Sequence, residues 1–275
     1  MNFYFFMFFL MMFFSSYIFW WSLFLMMTMM FFYLMKSFSS YISILNYFVV
    51  QEVLGLLFIL FYFFNLQFIF LMLKIGVSPF HFWVILVGMF LEGLNFFWFL
   101  TFQKLPFVPL MLFFFLDSFL FLFLGFIFCY VQIFFLKYLK VLIIISSIES
   151  FNWILMNLFF SGLNFFFIFL YYFLSMVVVL TWMASMNFSF LSWEFILLFL
   201  NFPLSMSFFL KLFSVSFMGY YFIFFSFFVF FSMFLSVLSL SYMIFSSSMK
   251  SFYFSKKDFS IFFFLFYSFV LFLLL

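Results

Sequence analysis

Three lysines of this 275-residue sequence lie inside long apolar stretches, where a charged side chain is costly. They are Lys74, Lys104 and Lys211, and each lies close to a proline in the sequence. A lysine at the centre of a membrane helix raises the insertion free energy by about 2.5–3.5 kcal/mol, and such residues usually mark a path for ions or protons. We therefore take the three amines as the leading candidate functional groups.

Two acids and one histidine could act together with these amines. Glu52 and Glu149 lie near the centres of apolar stretches, and His81 is the single histidine of the chain. Burial favours the neutral amine and a nearby carboxylate favours the ammonium, so a lysine under both influences can exchange a proton when a carboxylate moves or is neutralised. Such groups, joined by water, can relay protons without a metal ion, a nucleophile or a cofactor. His81 also has a structural explanation, because a histidine near a helix end often hydrogen-bonds a carbonyl group.

The composition indicates an integral membrane protein. Hydrophobic residues make up 72% of the chain and charged residues 5%, whereas soluble domains carry about 25% charged residues. We predict an all-α, polytopic fold that forms one transmembrane domain over residues 1–275 and is surrounded by membrane lipid. One cysteine and one histidine predict no disulfide, no metal site and no cofactor bound by this chain. The net charge of +3 is spread over loops, so a nucleic-acid partner is not expected.

About eleven apolar segments are long enough, or nearly so, to cross a membrane, since each crossing needs ~20 mostly apolar residues. Their estimated bounds are 1–14, 16–35, 42–64, 66–86, 90–115, 117–136, 140–160, 163–183, 190–217, 219–245 and 259–275. Segments 90–115 and 190–217 are long, and each contains a lysine and a proline. We predict that both are discontinuous helices of the kind that line transport paths.

The loop lysines predict the orientation of the chain. With eleven crossings, all of them fall on one side of the membrane, namely Lys36, Lys137, Lys140, Lys250, Lys256 and Lys257. By the positive-inside rule, this side and the N-terminus face the matrix or the cytoplasm.

Glu52 and Lys74 are expected to form an opposite-charge pair. Segments 42–64 and 66–86 predict a helical hairpin with its turn at Asn65. A rise of ~1.5 Å per residue then places the two charged groups within ~5 Å of each other in depth. Lys104 and Glu149 also lie at central depth by the same estimate.

Several motifs resemble chain 2 of mitochondrial NADH:ubiquinone oxidoreductase, respiratory complex I, and they occur in that family's order across most of the chain. They are Met72-Leu-Lys-Ile-Gly-Val-Ser-Pro-Phe-His-Phe-Trp83, Phe102-Gln-Lys-Leu-Pro106, Ile145-Ser-Ser-Ile148, Asn46-Tyr-Phe48 with Gln51, and Pro203 to Lys211. The resemblance implies an antiporter-like bundle in the mitochondrial inner membrane, with its N-terminus in the matrix. It also implies that the chain works with other membrane-arm subunits and is not functional as a free monomer.

The resemblance further implies a proton relay, with Lys74 on the input side, Lys104 at the centre and Lys211 on the output side. NADH, FMN, iron–sulfur clusters and ubiquinone would act elsewhere in the complex, and this chain would carry no redox centre. Two other functions are compatible with the same residues. One is a stand-alone cation/proton antiporter, and the other is a purely structural membrane subunit.

The sequence departs from the family pattern at two positions. The family usually has a glutamate on the second helix, paired with the first lysine, but this chain has Ser22-Leu-Phe24 in that region. A histidine that commonly follows the Ser-Ser-Ile motif is replaced by Glu149 and Ser150. Our hypothesis is that Glu52 is the partner of Lys74 and that Glu149 serves the central axis.

Overall fold

The computed structural model of the chain describes most of residues 16–161 and a few short stretches outside them. The described residues are 6, 10, 16–35, 41–91, 93–104, 106–114, 119–135, 138–161, 208, 211–212, 214–216, 226–231 and 233–238. All regular secondary structure in this part of the chain is helical, which confirms the predicted all-α class.

Eight α-helices and one 3-10 turn follow one another between residues 17 and 161 of the described chain. They are α1 (Tyr17–Met35), α2 (Tyr41–Leu60), α3 (Phe64–Ile75), α4 (Phe82–Phe90), α5 (Gly93–Thr101), the 3-10 turn Phe102–Lys104, α6 (Phe107–Phe114), α7 (Phe119–Phe135) and α8 (Leu139–Ser161).

Three described helices are long and apolar enough to cross a membrane. They are α1, α2 and the part of α8 from Lys140 to Leu158. The predicted segments 16–35, 117–136 and 140–160 match α1, α7 and α8 to within two residues at each end. The predicted segments 1–14, 163–183, 190–217, 219–245 and 259–275 lie wholly or largely outside the described residues.

The chain divides into two compact units, residues 1–125 and residues 126–275. In the first unit, α1 packs against α2, and α2 packs against both α3 and α4. Aromatic side chains fill these contacts. Phe24 of α1, for example, lies edge-on to Phe58 of α2 at 5.6 Å and stacks on Phe107 of α6 at 5.0 Å between ring centroids.

The hairpin between α2 and α3 forms, but its turn is not at Asn65. The connection is residues 61–63, and Asn65 lies in the first turn of α3. Asn has only a weak preference against a helix interior, of a few tenths of a kcal/mol, which the packing of α3 on α2 can override. The turn is made of aromatic residues, so a search for polar residues in the sequence does not locate it.

The predicted continuous segment 66–86 is wrong, because the chain leaves the helical conformation between α3 and α4. Gly76 ends α3 with a φ of 75°, and its N–H donates to the carbonyls of Met72 and Leu73. A glycine in this left-handed conformation is a common helix terminator. A Cβ at Gly76 would also collide with Cγ2 of Val84, so the bend leaves no room for a side chain. Pro79, which has no N–H to donate, then prevents the helix from resuming at once.

The second interruption was predicted and is confirmed. Segment 90–115 is made of α5, the 3-10 turn Phe102–Lys104 and α6. Pro106 follows the 3-10 turn and directly precedes Phe107, the first residue of α6, and proline is common at helix starts. Both interruptions of the first unit therefore lie next to a buried lysine, Lys74 or Lys104.

Candidate functional site

Lys74 lies in the last turn of α3 and is 2% exposed. Its Nζ donates to the backbone carbonyl of Gln51 at 3.0 Å, and Gln51 Nε2 donates to the backbone carbonyl of Lys74 at 2.9 Å. Nζ also lies 4.4 Å from the centroid of the Phe24 ring, within the range of a cation–π contact. Neutral groups of α1 and α2 thus make the direct contacts of this amine.

Gly55 has no side chain, and the Lys74 amine lies in the space beside it. This glycine lies one helical turn after Gln51 on α2, so it faces the same side of the helix as the carbonyl that accepts from Nζ. A Cβ built at Gly55 would lie 3.0 Å from Nζ and 3.6 Å from Nε1 of Trp21. The amine therefore approaches the α2 backbone through a gap that a glycine provides.

Glu52 is close to Lys74 but does not form the direct pair that we expected. Among the described residues, no nitrogen–oxygen distance of 4.0 Å or less joins the two side chains. The Glu52 carboxylate instead accepts a hydrogen bond from Oγ1 of Thr28 at 3.0 Å, while still attracting Lys74 electrostatically. Its role as the charge partner of Lys74 in proton transfer stays a prediction.

Lys74 and Lys104 line the same cavity in the first unit, which is large enough for about one water molecule. Lys104 is the last residue of the 3-10 turn between α5 and α6 and is 5% exposed. The break after α3 and the break before α6 therefore bring two of the predicted lysines to one partly open cavity. The other lining residues are Ile75, Trp83, Val84, Phe99, Gln103 and Phe107.

Gln103 contributes a buried amide to this cavity. Its Nε2 donates to the hydroxyl of Tyr47 at 2.7 Å, which connects the 3-10 turn to α2. Its Oε1 is buried and accepts no hydrogen bond from any residue that the structure describes. The residues that line the cavity thus include a buried glutamine in addition to the two lysines.

His81 is fully buried in the break between α3 and α4, at the position that precedes α4. We predicted it near the end of a continuous helix, and that position is wrong because α3 ends at Ile75. The imidazole stacks on the Phe82 ring at 5.2 Å, and its backbone carbonyl accepts from the N–H groups of Val84 and Ile85. A functional role of His81 stays a prediction.

In the second unit, Lys211 and Glu149 form a buried ion pair with 2.5 Å between Nζ and Oε1. The same carboxylate oxygen accepts from the Tyr130 hydroxyl at 3.1 Å and from Nε1 of Trp153 at 3.3 Å. Taking two charges out of water is expensive unless good geometry and further hydrogen bonds compensate. Three donors on one oxygen provide that compensation. Our hypothesis places Glu149 on the central axis, and in the structure its carboxylate contacts Lys211 directly.

The sequence reasoning missed several side chains of these sites. Gln51 and Gln103 carried a signal, since each precedes a charged residue in an apolar segment and lies in a motif that resembles the family. Tyr130 and Trp153 carried none, because aromatic residues make up 34% of the chain. Within the described ranges, no three histidine, cysteine or acidic side chains lie close enough to hold a metal ion.

No family model matches the chain. It is 50% identical over 191 residues to NADH-ubiquinone oxidoreductase chain 2 of Caenorhabditis elegans. The aligned region covers 69% of this chain and 68% of the nematode protein. It is 48% identical over 191 residues to NADH-ubiquinone oxidoreductase chain 2 of Ascaris suum, covering 69% of this chain and 63% of that protein. The matched region is thus slightly more than two thirds of the first relative and slightly less than two thirds of the second.

Proposed function

Because this chain belongs to the NADH-ubiquinone oxidoreductase chain 2 family, we propose that it is a proton-translocating membrane-arm subunit of respiratory complex I. It would act in the mitochondrial inner membrane together with other subunits and not as a free monomer. NADH oxidation and ubiquinone reduction would take place in those other subunits, and the chain would need no redox centre of its own.

The observation that carries the proposal is the cavity that Lys74 and Lys104 share. Both amines are shielded from bulk solvent, so the interaction between two positive charges at this cavity is weakly screened. Two ammonium groups there repel each other, and the arrangement favours one positive charge over two. A proton that arrives at Lys74 would therefore promote the release of a proton from Lys104, which is the elementary step of a relay.

Lys211 and Glu149 would act as the output pair within the second unit. Transfer of one proton from the ammonium to the carboxylate converts two buried charges into two neutral groups. Tyr130 and Trp153 donate to the same carboxylate oxygen, so their hydrogen bonds would have to rearrange when that oxygen receives the proton. Another positive charge or a conformational change would drive this transfer.

Replacing Lys104 by Met in the intact complex tests the function. Met keeps most of the apolar stem and removes the amine, so we expect the assembled complex to form, as seen on a native gel. Proton pumping in proteoliposomes should fall by about 10²-fold or more relative to the unaltered complex, because one positioned proton-transfer group typically contributes about 10²–10⁴-fold. Lys140→Met is the matched control, because Lys140 is partly exposed near the start of α8.

Normal pumping by a normally assembled Lys104→Met complex would contradict the proposal and favour a structural role. Loss of pumping in both lysine variants would point to a general effect of removing positive charge from the chain. The two variants together therefore separate a relay function from a change in overall charge.

A further inference from the structure

We propose that Tyr130 is a positioning residue of the Lys211–Glu149 pair, whose hydroxyl reverses its hydrogen bond and so holds a proton on Glu149 away from Lys211. The inference rests on the proposed function, in which this pair acts at the output end. It adds to that function the side chain that keeps the transferred proton from returning to the amine.

The starting arrangement places three donors on one carboxylate oxygen. Oε1 of Glu149 accepts from Nζ of Lys211 at 2.5 Å, from the Tyr130 hydroxyl at 3.1 Å and from Nε1 of Trp153 at 3.3 Å. All four side chains belong to the second unit, and each is at most 6% exposed. The three donors are therefore the first candidates to accept the hydrogen that Oε1 gains when it is protonated.

The three neighbours of Oε1 differ in their ability to accept a hydrogen bond. The indole N–H of Trp153 is a donor only, whereas a tyrosine hydroxyl both donates and accepts. The neutral Lys211 amine can also accept, but a hydrogen bond from Glu149 to that amine allows the proton to return at once. Among the three, Tyr130 is thus the side chain that can accept the acid hydrogen and leave the proton on Glu149.

The ring of Tyr130 is held by aromatic packing, so the reversal needs only a rotation of the hydroxyl hydrogen. The ring stacks on Phe126 with the centroids 6.2 Å apart, and Phe126 in turn packs against Trp153 at 4.8 Å between ring centroids. The phenol oxygen can therefore stay near Oε1 of Glu149 while the hydrogen bond between them changes direction.

The proton balance closes within these side chains. An N–H bond of the Lys211 ammonium breaks and an O–H bond forms at Oε1 of Glu149, so both groups become neutral. The acid O–H then turns to the oxygen of Tyr130, and the phenol keeps its own proton throughout. No other reactant is needed.

The experiment compares Tyr130→Phe with Ser150→Ala in the intact complex. Tyr130→Phe removes the hydroxyl and keeps the ring that stacks on Phe126. Ser150→Ala is the matched control, because it removes a buried hydroxyl next to Glu149 in the sequence that donates to the backbone carbonyl of Ser147 at 3.0 Å.

Two quantities are measured on each assembled complex. The first is the rate of NADH-driven proton pumping, with Lys104→Met as the reference for a lost relay. The second is the infrared C=O band of protonated Glu149 in redox-induced difference spectra. This band is identified by its absence from the double variant Glu149→Gln with Lys211→Met.

We expect Tyr130→Phe to lower both quantities by about fivefold, the change in population that the loss of one hydrogen bond typically produces. Ser150→Ala should leave both unchanged. Normal pumping in Tyr130→Phe, together with lost pumping in Lys104→Met, would overturn the inference and leave the proposed function intact. Normal pumping in both variants would overturn the two together.

The infrared band separates a positioning role from a structural one. A fall in pumping by Tyr130→Phe with an unchanged band would overturn the inference, because Tyr130 would then affect only the structure. The absence of the band from the unaltered complex would do the same, since Glu149 would never hold the proton. An equal fall in Tyr130→Phe and Ser150→Ala would be a general effect of removing a buried hydroxyl and would also overturn it.

High-resolution cryo-EM maps of the unaltered complex, at rest and during turnover, provide a measurement that does not depend on whether the variants assemble. We expect the Tyr130 hydroxyl within about 3 Å of the Glu149 carboxylate in both maps, and Nζ of Lys211 beyond hydrogen-bond reach in a turnover class. A Tyr130 hydroxyl out of reach of Glu149, or a Lys211 amine bonded to Glu149 in every turnover class, would overturn the inference.

Discussion

Gly55→Ala is expected to displace the Lys74 amine from its hydrogen-bonded position on the backbone of α2. The added methyl group would lie 3.0 Å from Nζ, closer than a carbon and an amine nitrogen normally approach. The amine would have to move away by a few tenths of an ångström or more, and its 3.0 Å hydrogen bond to the Gln51 carbonyl would weaken or break.

Two opposing effects set the magnitude of this change. A hydrogen bond from a charged group contributes about 1.5–3 kcal/mol. Alanine is favoured over glycine in a helix interior by about 1 kcal/mol. If the hydrogen bond is lost, Gly55→Ala should destabilise the chain by about 0.5–2 kcal/mol, because the lost bond outweighs the gain in helix propensity.

In a Lys74→Met background, the stability change caused by Gly55→Ala is expected to have the opposite sign. In Lys74→Met the terminal amine is absent, so the methyl group at Gly55 meets no ammonium and the gain in helix propensity remains. Gly55→Ala should then stabilise the chain by about 1 kcal/mol. The assay is the thermal unfolding midpoint of the assembled complex, followed as loss of the intact complex on native gels, for all four combinations of the two substitutions. A higher midpoint on adding Gly55→Ala in both backgrounds would refute the reasoning that the glycine exists to admit the amine.

Two further substitutions have clear structural consequences. Glu149→Gln should lower the yield of assembled complex on native gels, because a buried Lys211 ammonium without its counter-ion costs about 3–5 kcal/mol, and adding Lys211→Met should restore the yield but not proton pumping. Gly76→Ala should also reduce assembly, since it forces a left-handed backbone on alanine and places its Cβ against Val84, whereas Gly55→Ala should still assemble. An assembled and active Gly76→Ala complex would contradict the packing of α4 against the end of α3.

Helices α1, α7 and α8 could be predicted to within two residues at each end, because apolar length is a direct signal of a membrane helix. The break between α3 and α4 was not predicted, because a window of about 20 residues averages Gly76, Ser78 and Pro79 with the apolar residues on both sides. The breaking signal was local, in one glycine and one proline, and hydropathy averaged over a window does not register it. The break before α6 was predicted because a lysine and a proline interrupt a segment that is too long for one crossing.

The buried amines could be identified from the sequence, but their partners could not. Depth along a helix can be estimated from residue numbers, whereas the direction in which a side chain points around the helix axis depends on packing. Glu52 lies at the expected depth for Lys74, yet its carboxylate bonds Thr28 on α1. The direct acceptor of Lys74 is a backbone carbonyl, which every residue possesses and which no sequence pattern can single out.

The two buried lysines with defined contacts are held by different kinds of group, and this difference has a mechanistic consequence. Lys74 is bound by a carbonyl and an aromatic ring, both of which stay neutral when the amine loses its proton. If Lys74 passes its proton to a group outside these contacts, no negatively charged group is therefore left unpaired beside it. Lys211 is bound by a carboxylate, so a proton lost from it to any group but Glu149 would leave a buried anion without its counter-ion. In the proposed relay, Lys74 is thus suited to pass its proton onward through the shared cavity, whereas Lys211 is suited to exchange its proton with Glu149 first.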